Sequence, residues 1–384
     1  MTVQELGRRI KNYRISCGLT QASLAEKLLL TPQTVSKWER GLSSPDITYL
    51  SALCSSLGIT PSKLLLENEE KRDGYMIAID GGGTKTELVL FSTDGVVVER
   101  ICTEGSNPNL VGIGAATKTL KEAIDKLVSG HSEIERIFAG ISGAASGNNG
   151  AALLDFLKKR YPAYKINVES DIMNVIGLAE KNDRCTAAIM GTGSVAYAWD
   201  GERLHRTGGW GFLFEESGSG YSIGRDMITL ALSAEDGLAE RGEAVRLVEA
   251  KLGTKPFESI HILYKMGSDY VASFAPLAFE AMEAGDADAE RIIKRAVRQL
   301  SRFIVRSTEE YGTKDSVIVS GGIVIKQPTV RKMLCEELAP NIRPEFATLP
   351  PIFGAMRRCL DLSKKKYEFK KLSEKFIETY NKCK

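Results

Sequence analysis

Three glycine-rich turns, each directly after an apolar strand-like segment, are the parts of this chain best suited to bind an anion. DGGGTKT (80–86) follows YMIAI, GTGS (191–194) follows TAAIM, and Gly321 and Gly322 follow VIVS. Backbone N–H groups in such turns can converge on a phosphate. Glycine is also the default residue wherever φ must be positive, so one such turn is often only a turn. Three in succession favour phosphate binding.

The segment TQASLAEKLLLTPQTVSKWERG (20–41) reads as two short helices joined by a tight turn, with Val35 and Trp38 facing inward. It resembles the Cro-type helix-turn-helix repressors, and the resemblance extends over about 60 residues. The turn position that this family often fills with glycine is Leu29, where a left-handed backbone costs about 1 to 2 kcal/mol. The matching residues are Gln21, Leu24, Ala25, Val35, Ser36, Trp38, Glu39 and Gly41.

This resemblance implies that the second helix enters the major groove of an operator, with its early residues at base edges. The residues expected to contact DNA are Gln21, Gln33, Thr34, Ser36 and Lys37. Residues 1–63 hold eight Lys or Arg against four Asp or Glu, and this net charge of +4 suits phosphate contact. A homodimer that reads two half-sites is expected. The alternative is a small helical domain that binds another protein.

The elements around these motifs divide the chain into two domains. Helical spacing of apolar residues predicts an all-α domain over 1–66, and the charged run ENEEKRDG predicts a linker over 67–74. From Tyr75 onward strands alternate with helices, which is typical of an α/β domain, and a second round beginning at CTAAIM indicates two related halves. The basic segment 361–384 is expected to form a C-terminal helix or tail, docked by an apolar stripe.

DGGGTKT together with SNPN, GTGS and GGWG resembles the N-acetylglucosamine kinase and BadF-type branch of the actin-like ATPases, from Tyr75 to Leu360. The resemblance implies a two-lobed, ribonuclease H-like α/β domain with a first lobe over 75–183 and a second over 184–360. Such a domain would bind ATP, Mg²⁺ and an amino sugar, because phosphoryl transfer needs anion clamps, a metal and an oriented hydroxyl.

The resemblance also implies a role for each motif residue. Asp80 would hold Mg²⁺, Asp171 would accept the proton of the sugar hydroxyl, and Gly322 and Gly354 would border the adenine. Without the resemblance, Asp171 would be interpreted as a helix N-cap. The expected ATP contacts are Asp80, Gly81, Gly82, Gly83, Thr84, Lys85, Thr86, Gly191, Thr192, Gly193, Ser194, Gly321, Gly322 and Gly354. The expected sugar contacts are Asn107, Ser142, Gly143, Asp171 and Glu216.

One loop departs from the family pattern. Relatives usually read GGWG and then GDEGSGY, whereas this chain reads GGWGFLFEESGSGY, so that Glu215, Glu216 and Ser217 replace Gly, Asp and Glu. Glu216 can still accept a hydroxyl hydrogen bond, but it is one methylene longer than Asp, and the lost glycine constrains the loop. The sequence therefore leaves open which sugar is bound and whether it is phosphorylated.

The composition excludes several classes of protein. No apolar run approaches the roughly 20 residues of a membrane span, and the N-terminus lacks a signal-peptide core, so we expect a cytoplasmic protein without a membrane partner. Seven scattered cysteines without a CxxC pair argue against disulfides and against the iron–sulfur cluster of a reductase activator. Two functions remain: a transcription factor that senses an amino sugar, or an ATP-dependent N-acetylhexosamine kinase with an accessory helix-turn-helix.

Overall fold

A computed structural model describes residues 2–65, 74–129, 131, 133–214 and 217–383, so nearly all of the predicted linker lies outside the described residues. The chain forms two units, residues 1–73 and 74–384. Among the described residues, no helix is both long enough and apolar enough to cross a bilayer.

The described part of the first unit is helical. Its helices are α1 (Val3–Ser16), α2 (Gln21–Lys27), α3 (Pro32–Glu39), α4 (Ile47–Ser56) and α5 (Pro61–Leu65). The side chains of Thr2, Thr20, Thr31 and Asp46 accept backbone hydrogen bonds at the starts of α1 to α4, because the first turn of a helix leaves its amides unpaired. The buried core comprises Ile10, Leu24, Ala25, Leu28, Val35, Trp38, Leu53, Cys54, Leu57 and Leu64.

The turn between α2 and α3 has the left-handed backbone that its sequence predicts. Leu29 has a φ of 56°, and its side chain is 93% exposed. Leu28 and Leu30 pack into the core on either side. The conformational cost at Leu29, about 1 to 2 kcal/mol, is therefore not offset by burial of its own side chain.

The second unit contains two five-stranded sheets with the same topology. The first sheet has the order β3-β2-β1-β4-β5, with β1 (Tyr75–Gly81), β2 (Lys85–Phe91), β3 (Val97–Glu104), β4 (Ile134–Ile141) and β5 (Lys165–Ser170). The second has the order β8-β7-β6-β9-β10, with β6 (Cys185–Met190), β7 (Ser194–Trp199), β8 (Leu204–Thr207), β9 (Val317–Ser320) and β10 (Pro344–Phe346). In each sheet three antiparallel strands are followed by two parallel ones. The two related halves indicated by the sequence are present.

Helices connect the strands of both halves. In the first half they are α6 (Pro108–Val111), α7 (Ile113–Ser129), α8 (Asn149–Arg160) and α9 (Ile172–Ile176). In the second half they are α10 (Gly220–Glu235), α11 (Glu243–Leu252), α12 (Ile260–Ala272), α13 (Ala275–Glu283), α14 (Ala287–Tyr311), α15 (Gly322–Lys326) and α16 (Pro328–Glu337). Ile293, Val297, Leu300 and Ile304 form one buried stripe along α14, because residues at this spacing share a helix face.

The last two helices, α17 (Pro351–Leu362) and α18 (Phe369–Tyr380), return to the first sheet. α17 packs on β1, β4 and α9, and α18 packs on β3. The sequence assigned the start of α17 to the second lobe, but its contacts place it with the first half. α18 is anchored by Leu372 and Phe376, which are 3% and 1% exposed. The Tyr380 hydroxyl also donates to the buried carboxylate of Glu87 at 2.5 Å.

Candidate functional site

In the first unit, α3 carries the side chains that its sequence assigns to DNA. Gln33 and Lys37 are exposed, whereas Thr34 and Ser36 are half-buried. The Thr34 hydroxyl lies 3.0 Å from that of the N-cap residue Thr31. The opposite face of α3 is buried in the core. The helix thus presents one polar face that can enter a groove.

A buried ion pair holds α3 against α1. The Arg14 guanidinium donates to both carboxylate oxygens of Glu39, at 2.5 and 3.0 Å, and to the Leu19 carbonyl oxygen at 2.6 Å. Gln21 Nε2 donates to Glu39 Oε2 at 2.7 Å. Burial by itself raises the pKa of Glu39, but the hydrogen bonds from Arg14 and Gln21 outweigh it and hold this pKa below its ordinary value.

This network changes two expectations from the sequence. The basic count includes Arg14 among groups suited to phosphate contact, yet its side chain is 10% exposed and paired with Glu39. The net charge of the region is unchanged, because both charges of the pair are withdrawn together. The side-chain amide of Gln21, expected to contact DNA, is used inside the unit. Its position gives Gln21 a part in fixing Glu39.

In the second unit, Asp80 lies at the end of β1. Its Oδ1 accepts a hydrogen bond of 2.6 Å from Asn174 Nδ2 on α9, and the same nitrogen donates to the carbonyl oxygen of Gly140 at 3.2 Å. Desolvation raises the pKa of Asp80 to about 6, with the negative charges of Asp171 and Glu87 adding to the rise and the Asn174 hydrogen bond opposing it. A cation at this position would relieve that unfavourable charge.

Asp171 lies between β5 and α9, at the same edge of the first sheet. Its side chain makes no capping hydrogen bond to α9, so the structure does not use it as an N-cap. Ser170 Oγ lies 3.2 Å from Asp171 Oδ1. Burial raises the pKa of Asp171, while hydrogen bonds from Ser170 and Ser142 lower it. A carboxylate with a raised pKa is the stronger base.

The first glycine turn joins β1 to β2 and is fixed by its neighbours. The Gly82 carbonyl oxygen accepts from the amides of Ser106 and Asn107, at 3.0 and 3.2 Å. The Lys85 side chain is 67% exposed. Thr86 does not face a phosphate as expected: it is fully buried, and its hydroxyl donates to Ser106 Oγ at 2.8 Å. Thr86 therefore stabilises the first glycine turn through its hydrogen bond to Ser106.

A cavity of about 400 Å³ is lined by residues from both halves of the second unit. The first half contributes Asn107, Asn109, Ser142, Gly143, Ala145, Ser146, Ser170, Asp171 and Ile172. The second half contributes Ile189, Gly191, Thr192, Gly193, Ser194, Val195, Tyr197, Arg206 and Gly209. The expected base, three expected sugar contacts and the second glycine turn thus meet in one place. Residues 81–86 of the first glycine turn are not among the described residues that line this cavity.

The second glycine turn is fixed by the start of α10. The amides of Gly220 and Tyr221 donate to the carbonyl oxygens of Gly191 and Thr192, at 2.7 and 3.0 Å. The Ser194 hydroxyl donates to the Ser217 carbonyl oxygen at 2.6 Å. Its proton is therefore used within the protein, while Ser194 still lines the cavity, so its expected contact with phosphate stays a prediction.

A second cavity, of about 550 Å³, shares Gly191 and Thr192 with the first and continues past Phe279 and Gly322 into the second half. This is a suitable size for a small ligand. The neighbouring Gly321 has a φ of 112°, and a Cβ there would lie 2.4 Å from the Met190 carbonyl oxygen. Because only glycine avoids both penalties, the turn after β9 requires it.

Gly354 lies at a close contact between two helices. It lies within α17, where a Cβ would approach the Asn174 carbonyl oxygen to 1.7 Å and where it also meets Gly177. Gly354 therefore permits α17 and α9 to pack closely. It lines neither of the two cavities described here, and its expected position at the border of adenine stays a prediction.

The match to known families follows the division into two units. A helix-turn-helix model matches residues 10–64, and the model of the BadF/BadG/BcrA/BcrD ATPase family matches residues 77–355. The chain belongs to the BadF/BadG/BcrA/BcrD ATPase family. Its second unit is thus a domain of the sugar-kinase type, with the two-lobed fold that the sequence predicted.

Individual relatives match the two units separately. The N-acetylmuramic acid/N-acetylglucosamine kinase of Clostridium acetobutylicum is 30% identical over 265 residues, covering 65% of this chain and 85% of the relative. The HTH-type transcriptional regulator DicA of Escherichia coli is 39% identical over 67 residues, covering 17% of this chain and 50% of the relative. The structure of a candidate N-acetylglucosamine kinase from Chromobacterium violaceum superposes with a TM-score of 0.57 at 20% identity, covering 74% and 98% of the two chains.

The residues around Asp80 fit the Mg²⁺ that this ATPase family implies. Among the described residues, no cluster of three or more His, Cys, Asp or Glu could hold a metal. Mg²⁺ in nucleotide sites does not need one, since it keeps several waters and binds one or two carboxylates plus phosphates. Asn174 Oδ1 is buried beside Asp80 without a donor in the described part of the chain. A metal-bound water is such a donor, so the pair suits a hydrated ion.

Asn174 is the site residue that sequence reasoning missed. It lies three residues after Asp171, and residues at this spacing share a helix face, so the pattern D-x-x-N was the available signal. Its side chain is fully buried and joins Asp80 to the end of β4. Two residues of the divergent loop, Glu215 and the expected sugar contact Glu216, lie outside the described residues.

Proposed function

We propose that this protein is a DNA-binding transcriptional regulator whose sugar-kinase-type unit binds MgATP and an N-acetylated amino sugar. The observation that carries the proposal is the cavity in which Asp171, Asn107 and Ser142 face the glycine turn at Thr192, in a chain that also has a helix-turn-helix. The names of its relatives, a kinase of N-acetylated amino sugars and a transcriptional regulator, support both halves of it. Such a protein would act as a homodimer on an operator in the cytoplasm.

The same geometry supports catalysis of phosphoryl transfer. When bound beside Asp80, Mg²⁺ supplies positive charge that stabilises the transferred phosphoryl group. Asn107 and Ser142 orient the sugar, the turn at Thr192 holds phosphate oxygens, and Asp171 accepts the proton of the attacking hydroxyl. The hydroxyl oxygen bonds to the γ-phosphorus, the bond to the bridging β,γ-oxygen breaks, and ADP leaves.

Turnover is tested with Asp171→Asn. We expect it to abolish ADP release with N-acetylglucosamine, because an amide cannot accept the proton, while MgATP affinity by calorimetry persists. Asp155→Asn is the matched control, since Asp155 is an exposed residue of α8. Unchanged turnover in Asp171→Asn would show that another group is the base. No turnover in the wild-type protein would leave sensing without catalysis.

Sensing is tested by titrating the full-length protein onto a promoter fragment from its own locus and onto random DNA, with and without sugar and a non-hydrolysable ATP analogue. Allosteric coupling is commonly about 1 to 3 kcal/mol, so operator affinity should change about 5- to 150-fold. Equal affinity for both DNAs would exclude operator recognition. Specific binding that ignores the ligands would leave the alternative, a kinase with an accessory helix-turn-helix.

A further inference from the structure

Two segments of the first half carry the expected sugar contacts, and both are fixed at the ends next to the first glycine turn. They are the SNPN segment (106–109) and the β4–α8 loop (142–148). The SNPN segment is bonded to the Gly82 carbonyl oxygen, and the Ser142 amide donates to the Gly81 carbonyl oxygen at 2.7 Å. Because these are backbone bonds, the near ends of both segments do not depend on any side chain.

The far ends of the two segments are joined by side chains. Asn109 Nδ2 donates to Ser146 Oγ at 2.9 Å. Asn149, the first residue of α8, donates from its Nδ2 to Asn109 Oδ1 at 2.8 Å and to the Gly143 carbonyl oxygen at 3.1 Å. A carbonyl oxygen can only accept, so the nitrogen of the Asn149 amide must face Gly143. Asn149 is therefore bonded to both segments at once.

The two segments meet at Gly143. Its φ is 78°, and a Cβ there would lie 2.3 Å from Asn107 Oδ1 and 2.9 Å from Asn109 Nδ2. Asn107 Nδ2 donates to Ser142 Oγ at 3.4 Å, and the Ser142 hydroxyl in turn bonds to Asp171. A shift of Gly143 would therefore displace the expected sugar contacts that lead to the expected base.

Asn149 itself is half-buried and is not among the described residues that line the cavity. Its neighbour Asn148 holds the N-cap position of α8, is exposed and makes no side-chain capping bond. The two asparagines thus have the same side chain at adjacent positions, but the bonds to the two segments come from Asn149.

We propose that Asn149 is a positioning residue of the sugar site, which holds the SNPN segment against the β4–α8 loop so that Asn107 and Ser142 keep their places beside Asp171. This proposal rests on the proposed function, because it assumes that the cavity holds a sugar. Asn149 acts on the sugar through the two segments and leaves the phosphate turns as they are.

The test is calorimetric titration of the full-length protein with N-acetylglucosamine in the presence of Mg²⁺ and a non-hydrolysable ATP analogue. We expect Asn149→Ala to weaken sugar binding about three- to tenfold, equivalent to about 0.6 to 1.4 kcal/mol, which is the scale of one hydrogen bond. Asn149→Asp keeps the shape but lacks both N–H donors, so it should weaken sugar binding at least as much. The affinity for the ATP analogue should stay within about twofold of wild type in both variants, which also shows that they are folded. Asn148→Ala is the matched control and should bind both ligands like the wild type.

Hydrogen exchange of the protein without ligands supplies a second measurement. Peptides covering 106–112 and 142–150 should exchange faster in Asn149→Ala than in the wild type or in Asn148→Ala. The proposal is overturned by unchanged exchange in both segments, by wild-type sugar affinity in Asn149→Ala, or by an equal loss of affinity for sugar and ATP analogue. A wild-type protein that binds no sugar would instead refute the proposed function, whatever the exchange result.

Discussion

The ion pair between Arg14 and Glu39 predicts how strongly the helix-turn-helix depends on one buried charge. Glu39→Gln keeps the size of the side chain and one oxygen acceptor but removes the negative charge. Arg14 then remains 10% exposed with the Leu19 carbonyl oxygen and a neutral amide as partners. Removing one partner of a buried pair costs about 3 to 5 kcal/mol, and the acceptors that remain place Glu39→Gln near the lower value.

This loss of unfolding free energy in Glu39→Gln is large for so small a unit. At the usual stability per residue, residues 1–73 have about 4 to 11 kcal/mol in total. A loss of about 3 kcal/mol lowers the melting temperature of a domain of this size by about 12 to 24 °C. We expect thermal unfolding of the full-length protein to show this shift in one transition, which hydrogen exchange on peptides from 2–65 assigns to the first unit.

The double variant Arg14→Met with Glu39→Leu separates the pair from its packing. Well-packed apolar replacements of a buried ion pair are often neutral or stabilising, so the double variant should melt above Glu39→Gln. Arg40→Gln, at an exposed position after α3, is the control and should change stability by less than about 0.5 kcal/mol. A double variant as unstable as Glu39→Gln would refute the reasoning, because the cost would then lie in shape and not in an unpaired charge.

The pH dependence has a defined sign. The folded-state pKa of Glu39 lies below its ordinary value of 4.5, so the charge stabilises the fold above that pH and the contribution is lost as pH falls through the lowered pKa. The difference in unfolding free energy between wild type and Glu39→Gln should therefore be constant near neutral pH and shrink below about pH 4.5. A difference that grew on acidification would contradict the assigned pairing.

Three further predictions concern the other elements. Gly321→Ala should destabilise the second unit by more than about 3 kcal/mol, because the clash of its Cβ adds to the roughly 1 to 3 kcal/mol that a strained backbone costs. Gly322→Ala should have no such effect, since a Cβ there meets nothing within 4 Å. Equal melting temperatures for the two variants would disprove this. Lys37→Ala should weaken operator and random DNA alike and reduce the slope of log affinity against log salt by about 1, and an unchanged slope would remove Lys37 from the phosphate contacts. Phe376→Ala should cost about 3 to 5 kcal/mol and release α18 to proteolysis, while Ile377→Ala, half-exposed beside it, should leave α18 protected.

The sequence was sufficient for the features whose signals are local. A glycine turn after an apolar strand is visible in the sequence itself. The turns at Gly82, Gly191 and Gly321 follow β1, β6 and β9. β1 and β6 are the central strands of their sheets, and β9 lies next to β6. The cap residues Thr20 and Thr31 and the left-handed turn at Leu29 are likewise encoded within a few residues. Short-range patterns of this kind therefore predicted both the repeat and the helix-turn-helix.

Features that depend on distant contacts could not be predicted in this way. Arg14 and Glu39 are 25 positions apart, and at sequence level each is an ordinary solvated charge. The return of α17 to the first sheet depends on tertiary packing. Its close approach to α9 is evident only in the structure, where Gly354 meets the backbone of Asn174. Thr86 follows the exposed Lys85 on β2, but it is buried, and its hydroxyl bonds to Ser106, 20 positions along the chain. In each case the contacting residue is too far away in the sequence for a local pattern to reveal it.

Sensing and turnover make separate demands on the second unit. Sensing needs a sugar and a nucleotide to bind one conformation better than another, and by linkage the operator must then change sugar affinity by the same factor. Turnover additionally needs the carboxylate of Asp171, whose loss leaves the remaining cavity wall in place. An Asp171→Asn protein that still couples sugar to operator would show that the bound sugar is the signal. If coupling disappears while both ligands still bind, the signal is the phosphorylated product or the act of transfer.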